Sequence, residues 1–304
     1  MKNLLFPLIA VLIWSINAVV CKAATTVIEP ASIVFYRWFI AFLTLTPFVL
    51  LPILKQRKLV AKYWWKLFIL SLLGMVLNQS LAYYAAHTVS ATLIGIFTSL
   101  IPLLTVILSI FSLRATPTVG ITLGTVLSLF GLVWLVSKGE PASLLQHGLG
   151  IGEIMMFIAA ASYALYGVLT KRWAIPLPNW QSLYVQIAFG ALLLLPNFMM
   201  TDNVQLTSDN ISLVLFAGIP ASIIAPYLWI QSVIRIGANM TAIFMNLAPV
   251  FTAIIAILVL HEQMHSYHII GGGIVLAGVI IAQQLRTPLT RRKPKYNSNQ
   301  QSSQ

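Results

Sequence analysis

Apolar segments of about 20 residues, each long enough to cross a membrane as a helix, follow one another along the whole chain. They lie at about 4–22, 31–54, 64–85, 90–112, 118–137, 150–170, 179–200, 211–233, 238–260 and 267–285. Only short polar connections separate them. Lipid offers backbone groups no partners, so a spanning segment must pair its own N–H and C=O groups as a helix or join a closed barrel. A barrel reads as shorter segments of alternating polarity, which this sequence lacks. Of 304 residues 59% are hydrophobic and only 8% charged, against about 25% charged in soluble domains. A soluble enzyme is thereby excluded. The expected fold is an all-α integral membrane protein with ten transmembrane helices. The first apolar run resembles a signal peptide, but no small-residue cleavage site closes it and similar runs follow, so it is read as the first span.

The charges orient the chain. With the N-terminus in the cytoplasm, all of the 18 basic residues except Lys22, Arg37 and Lys138 fall on the cytoplasmic side, and the 6 acids fall at or near the outer side. Lys and Arg in short loops favour the cytoplasm. Both termini are therefore expected inside. The net charge of +12 is accounted for by contact with anionic membrane lipids, and nucleic acid is not needed as a partner. Residues 286–304 read as a polar cytoplasmic tail. Cys21 is the single cysteine, so no intramolecular disulfide forms.

The chain also repeats itself. A shift of 147 residues places Pro102 on Pro249, Phe97 on Phe244, Leu100 on Leu247 and Thr105 on Thr252. In the next segment Gly124 falls on Gly271 and Gly131 on Gly278. A shift of 149 brings Trp14 near Tyr163 and Lys22 onto Lys171. Five spans form each copy, at 4–137 and 150–285, so the second copy enters the membrane from the opposite side. Two inverted five-helix repeats are the usual basis of alternating access, with a substrate site at their interface near mid-membrane.

Four stretches carry a family resemblance: IWSINAVVCK at 13–22, FYRW at 35–38, GANMTAIFMNLAPVFTAIIAILVLHE at 237–262 and IIGGGIVLAGVIIA at 269–282. The pattern resembles the EamA-type branch of the drug/metabolite transporter superfamily. The resemblance implies ten helices in two inverted repeats and transport of amino acids, metabolites, nucleobase-like compounds or drugs. It also implies a bacterial inner-membrane location and, in many characterised members, export. Members often close the fourth helix of each repeat with Gly-Glu. Here the second repeat has His261-Glu262 and the first has Arg114-Ala115, so no matched pair of acids serves proton coupling.

Polar and aromatic residues inside the spans are the candidate solute contacts, because such groups avoid lipid. They are Trp14, Asn17, Asn78, Gln79, Tyr83, Ser99, Tyr163, Tyr166, Gln231 and Asn246, with Pro102 and Pro249 shaping a central cavity. Asn239 and Gln186 are further intramembrane polar residues. Bonding between helices, without solute, is the competing account of the amides and Ser99. Lys22, Arg37 and Glu153 are the candidates for coupling or gating. Arg37 would bind an anionic group or pair structurally with Glu29 or Glu153. Glu153 would load a proton from outside, whereas Glu262 is expected to cap or brace a loop. Trp38, Trp64, Trp65, Trp134, Trp173 and Trp180 lie toward span ends and read as interface anchors. The spacing of His261, His265 and His268 is weak evidence for metal, and no metal or other cofactor is expected.

The expected function is secondary transport of a small organic solute, with export of amino acids or related metabolites as the leading assignment and protons as a plausible driving ion. Drug efflux or metabolite uptake on the same fold is the alternative. A membrane enzyme or a scaffold is the reading from another class. A scaffold would tolerate apolar residues at Asn17, Ser99 and Asn246, and a transporter would lose flux.

Overall fold

The computed structural model describes residues 2–113, 118–142, 149–202, 204–236, 244–285 and 287. Arg114, Asn239 and, apart from Thr287, the polar tail 286–304 lie outside the described residues. All the regular structure is helical. Among the described residues seven helices are long and apolar enough to cross a membrane: α1 (Leu5–Ala24), α2 (Pro30–Lys55), α3 (Arg57–Ala85), α4 (Ala91–Ser112), α6 (Ile151–Trp173), α7 (Asn179–Met199) and α8 (Ile211–Ser232). Three shorter apolar helices are α5 (Val119–Leu135), α9 (Met245–Leu260) and α10 (Ser266–Ala282). The chain is thus an all-α, multi-pass membrane protein. Large apolar side chains such as Phe48, Leu51, Phe111 and Leu258 stand exposed on the outside of the bundle. In water that surface would be unfavourable, and against lipid it is not.

Helix α3 starts earlier than the apolar pattern alone suggests, at Arg57. Its first turns carry Lys58, Lys62 and Lys66, which are good helix formers. Lys66 lies over the rings of Trp65 and Trp173, 5.5 and 5.7 Å from their centroids. The exposed Trp64 and Trp65 fit the expectation of interface anchors. Trp38 does not. It is buried, and its Nε1 donates to the Met75 carbonyl at 2.9 Å. The error came from its nearness to a span end in sequence, which says nothing about the neighbours a helix gains by packing.

The helices pack in reciprocal pairs. α1 lies against α8 and α9, while α6 lies against α3 and α4; α2 packs on α7, α4 on α9 and α5 on α10. The α5–α10 seam is the tightest. A Cβ added at Gly124 would sit 2.3 Å from the Gly278 carbonyl oxygen, and one at Gly278 would sit 2.6 Å from that of Gly124. Gly131 and Gly271 face each other in the same way. Small residues let two backbones touch, which is how helices associate where lipid removes the hydrophobic drive.

Both marked prolines stand at breaks in helix geometry. α4 is interrupted between Ser99 and Ile101, one residue before Pro102, and α9 changes from a 3₁₀ turn to α-helix at Ala248, beside Pro249. A proline cannot donate to the preceding turn, so regular bonding stops there. Two π-helical turns, Leu72–Leu77 in α3 and Pro220–Ile224 in α8, have no clear sequence signal apart from Pro220. Each exposes a carbonyl that an indole satisfies: Met75 accepts from Trp38, and Ala221 accepts from Trp14 Nε1 at 3.2 Å.

Glu262 acts as a cap, in line with its expected bracing role. Its carboxylate accepts from the Ala91 N–H at 2.6 Å, the Thr92 N–H at 3.3 Å and the Thr92 hydroxyl at 2.8 Å. These are free donors at the positive end of α4. Glu262→Ala is therefore expected to lower stability by about 1 kcal/mol, the usual cost of a lost cap, seen as a lower thermal midpoint in detergent. An unchanged midpoint would contradict this role. His261, just before it, ends α9 with φ 53° and ψ 33°. Glycine adopts that left-handed conformation without strain, and other residues lose about 1 kcal/mol there. The exposed His261 makes His261→Gly an expected stabilising change of about that size, measured by the same melt.

Candidate functional site

A cavity of about 1180 Å³ lies among helices from both halves of the chain. Its lining runs from Cys21, Arg37 and Gln79 at one end to Thr118, Thr170, Asn179 and Gln284 at the other. Beyond the first end the bundle is tied shut. Lys22 Nζ donates to the Ala86 carbonyl at 2.7 Å, Glu262 caps α4, and Tyr36 Oη donates to the Val204 carbonyl at 2.7 Å. The connection before α8 is also tied to that before α2, where Asn210 Nδ2 donates to the Val27 carbonyl at 3.3 Å.

Seven of the proposed solute contacts come together on the wall: Trp14, Asn17, Asn78, Gln79, Pro102, Tyr163 and Tyr166. Trp14 pairs with Trp229 at 5.4 Å between ring centroids, and Tyr163 pairs with Tyr166 at 5.3 Å. Both ring pairs line the cavity. Gly74 makes room for Tyr166: an added Cβ would stand 3.0 Å from its ring.

Five other candidates lie away from the wall. Ser99 is buried and its hydroxyl donates to the Ile96 carbonyl at 2.7 Å. Tyr83 is buried behind Arg37, with a hydroxyl that lacks a hydrogen bond. Gln231 and Asn246 are half-buried, and neighbours such as Ile230 and Met245 take the wall positions. Pro249 is buried in α9. Among the coupling candidates, Arg37 lines the cavity, Lys22 belongs to the tied end, and Glu153 folds its carboxylate back toward Gly150 at the start of α6. The helix dipole favours an acid there. Periodicity could not separate these cases, since it reports which face a residue occupies and not what that face meets.

Arg37 is the centre of a bonded network. It is 3% exposed. Its Nε donates to Ser222 Oγ at 2.7 Å, and its Nη1 donates to Gln79 Oε1. Gln79 Nε2 then donates to Asn78 Oδ1 at 2.8 Å, and Asn78 Nδ2 to the Ala159 carbonyl at 2.9 Å. Ser222 in turn donates to the Ala217 carbonyl at 2.7 Å across the π-turn. One cation thus links α2, α3, α6 and α8. The expected pairing with Glu29 or Glu153 is not what holds it: Glu29 is exposed at the start of α2, and Glu153 lies at the start of α6. Sequence reasoning missed Ser222, a lone serine 185 residues away in the chain. Gln186, Thr252 and Ser182 also reach the wall.

Chemically, the described wall of the cavity offers aromatic faces, neutral amides and hydroxyls, and one guanidinium. Among the described residues no three or more His, Cys, Asp or Glu gather as metal ligands. His265 and His268 instead form a reciprocal cap at the start of α10.

The EamA-like transporter family model matches residues 1–137 and 150–283. The chain is 24% identical over 286 residues to an uncharacterized transporter of Archaeoglobus fulgidus, covering 92% of this chain and 96% of that protein. It is 28% identical over 206 residues to the uncharacterized transporter YyaM of Bacillus subtilis, covering 66% of each. A solved crystal structure superposes with a TM-score of 0.63 at 19% identity, covering 96% of this chain and 99% of that one. That likeness concerns the fold alone.

Proposed function

We propose, from the premise that the chain belongs to the EamA-like transporter family of small-molecule membrane transporters, that it is a secondary transporter which binds a small organic solute in the central cavity. The single observation that carries this reading is the cavity itself. It is lined by both halves of the chain, and at one end hydrogen bonds tie the connections together. With the basic connections facing the cytoplasm, the tied end is the outer one, and we read this conformation as closed to the outside.

The cycle rests on ten spanning helices in two inverted repeats, 4–137 and 150–285, with both termini inside a bacterial inner membrane. Three features support the symmetry: the reciprocal helix pairs, the facing glycines of α5 and α10, and π-turns at matching places in α3 and α8. Rocking of one repeat against the other would open each side in turn. Export of amino acids or related metabolites is the assignment that the cavity's mixed polar and aromatic wall best supports.

Reconstitution into liposomes tests it. Solute counterflow that depends on the protein is expected, and its absence across a broad metabolite panel would sink the transport assignment. The same vesicles decide the driving force. No carboxylate lines the cavity among the described residues, so proton antiport would have to act through an acid outside it, such as Glu153 at the start of α6. Flux that is unchanged when an imposed pH gradient collapses removes antiport and leaves uniport.

A further inference from the structure

We propose that the solute is an organic carboxylate whose anionic group seats on Arg37, and that the cavity recognises this group without recognising an ammonium. The proposal rests on the reading of the cavity as the transport site. A cation inside a span is costly, by about 2.5–3.5 kcal/mol at the centre even on the mildest scales, and Arg37 is buried within the first third of α2. Buried charges are therefore normally paired or held by hydrogen bonds, and an opposite charge compensates them best. The groups that meet Arg37 are neutral: Ser222 Oγ and Gln79 Oε1 accept from it, the Tyr83 hydroxyl lies beside it and the Trp38 ring is 5.1 Å away. Dipoles solvate the charge but do not neutralise it.

The chain's own acids are committed elsewhere. Glu29, Glu140, Asp202 and Asp209 are exposed in or beside connections. Glu153 lies against Gly150, and Glu262 holds Ala91 and Thr92. None of them lines the cavity, and among the described residues no lysine or second arginine does either. The described wall thus carries one formal charge, and it is positive. The guanidinium presents five N–H donors in a planar fork suited to a carboxylate. Two protein hydrogen bonds engage Nε and Nη1. The remaining N–H groups are the ones left for an anion from the cavity.

The rest of the wall describes the rest of the solute. Trp14 with Trp229, and Tyr163 with Tyr166, offer ring faces to an apolar or aromatic body. An ammonium group has no carboxylate to meet there, and the fixed charge of Arg37 repels it at low dielectric. A carboxylate that carries the same ring without an ammonium should bind at least as well as the amino acid.

Four probes sharing one ring test this by titration calorimetry on the full-length protein in lipid nanodiscs: phenylacetate, phenylalanine, phenethylamine and phenylacetamide. Phenylacetate is expected to bind as tightly as phenylalanine or tighter. The amine and the neutral amide should bind at least about tenfold more weakly, a gap of about 1.4 kcal/mol. In Arg37→Gln the gap between phenylacetate and phenylacetamide should vanish, which also rules out attraction by the basic surface. The wild-type ladder is decisive by itself if that variant does not fold. Equal binding of all charges, binding of none, a tenfold advantage for phenylalanine over phenylacetate, or a gap that persists in Arg37→Gln each overturns the proposal. Flux is scored separately. Anion-selective binding without transport would sink the transport reading and leave the binding site, and transport without charge preference would do the opposite.

Discussion

Gly124→Val is expected to be among the most damaging single substitutions in the chain. The first atom of the new side chain would lie 2.3 Å from the Gly278 carbonyl oxygen and 2.7 Å from Ala282 Cβ. Neither is the tip of a flexible chain, so α5 and α10 must separate. Overpacking of this kind usually costs about 1–3 kcal/mol, and here it strikes a contact between backbones. Gly278→Val should do the same from the other side, since its Cβ would meet Ser128 Oγ at 2.4 Å. Gly273→Ala is the control, because nothing lies within 4 Å of its added atom and alanine is the better helix former. Thermal unfolding in detergent should show a large loss for the two valine variants and none for the control. A Gly124→Val midpoint equal to wild type would refute this packing.

Arg37→Met should produce the opposite pattern, with flux lost and the fold retained. Removing the cation relieves the cost of holding a charge inside the membrane. It also strips an acceptor's partner from Gln79, a loss of about 1 kcal/mol, while Ser222 keeps its bond to Ala217. The two effects oppose each other, so the thermal midpoint should move little. Counterflow in vesicles should fall at least about tenfold, the consequence of losing roughly 1.4 kcal/mol of solute contact. Destabilisation of several kcal/mol with residual flux in the surviving protein would make Arg37 a structural brace and remove it from the solute site.

The contrast between the two positions explains what could be read early. Gly124 stood out because a glycine recurs at the same register in the second copy, and the two copies meet along the α5–α10 seam. Arg37 stood out only as an anomaly, a charge in an apolar run. Its meaning depends on Ser222, Gln79 and the absence of a nearby acid, which are facts about other helices. Ser99 and Asn246 share a register before the two prolines, yet neither reaches the wall. A rotation of one residue step about the helix axis is enough to turn a side chain from the cavity into the packing between helices. Trp38 shows the reverse case, a residue assigned to the lipid interface that packing draws inside.

The sequence by itself determined the multi-pass helical membrane class, because hydrocarbon demands long apolar helices whatever they pack against. Its family motifs pointed to transport, and its matched prolines and glycines marked two related halves. Only the tertiary structure decided which polar groups share the cavity, that Glu262 caps α4, and that Arg37 has no acid to answer it. Helix formation is a local matter of hydropathy and backbone pairing. Solvation of a buried charge is settled by partners drawn from helices far apart in the chain, and their identity emerges only when the helices have packed.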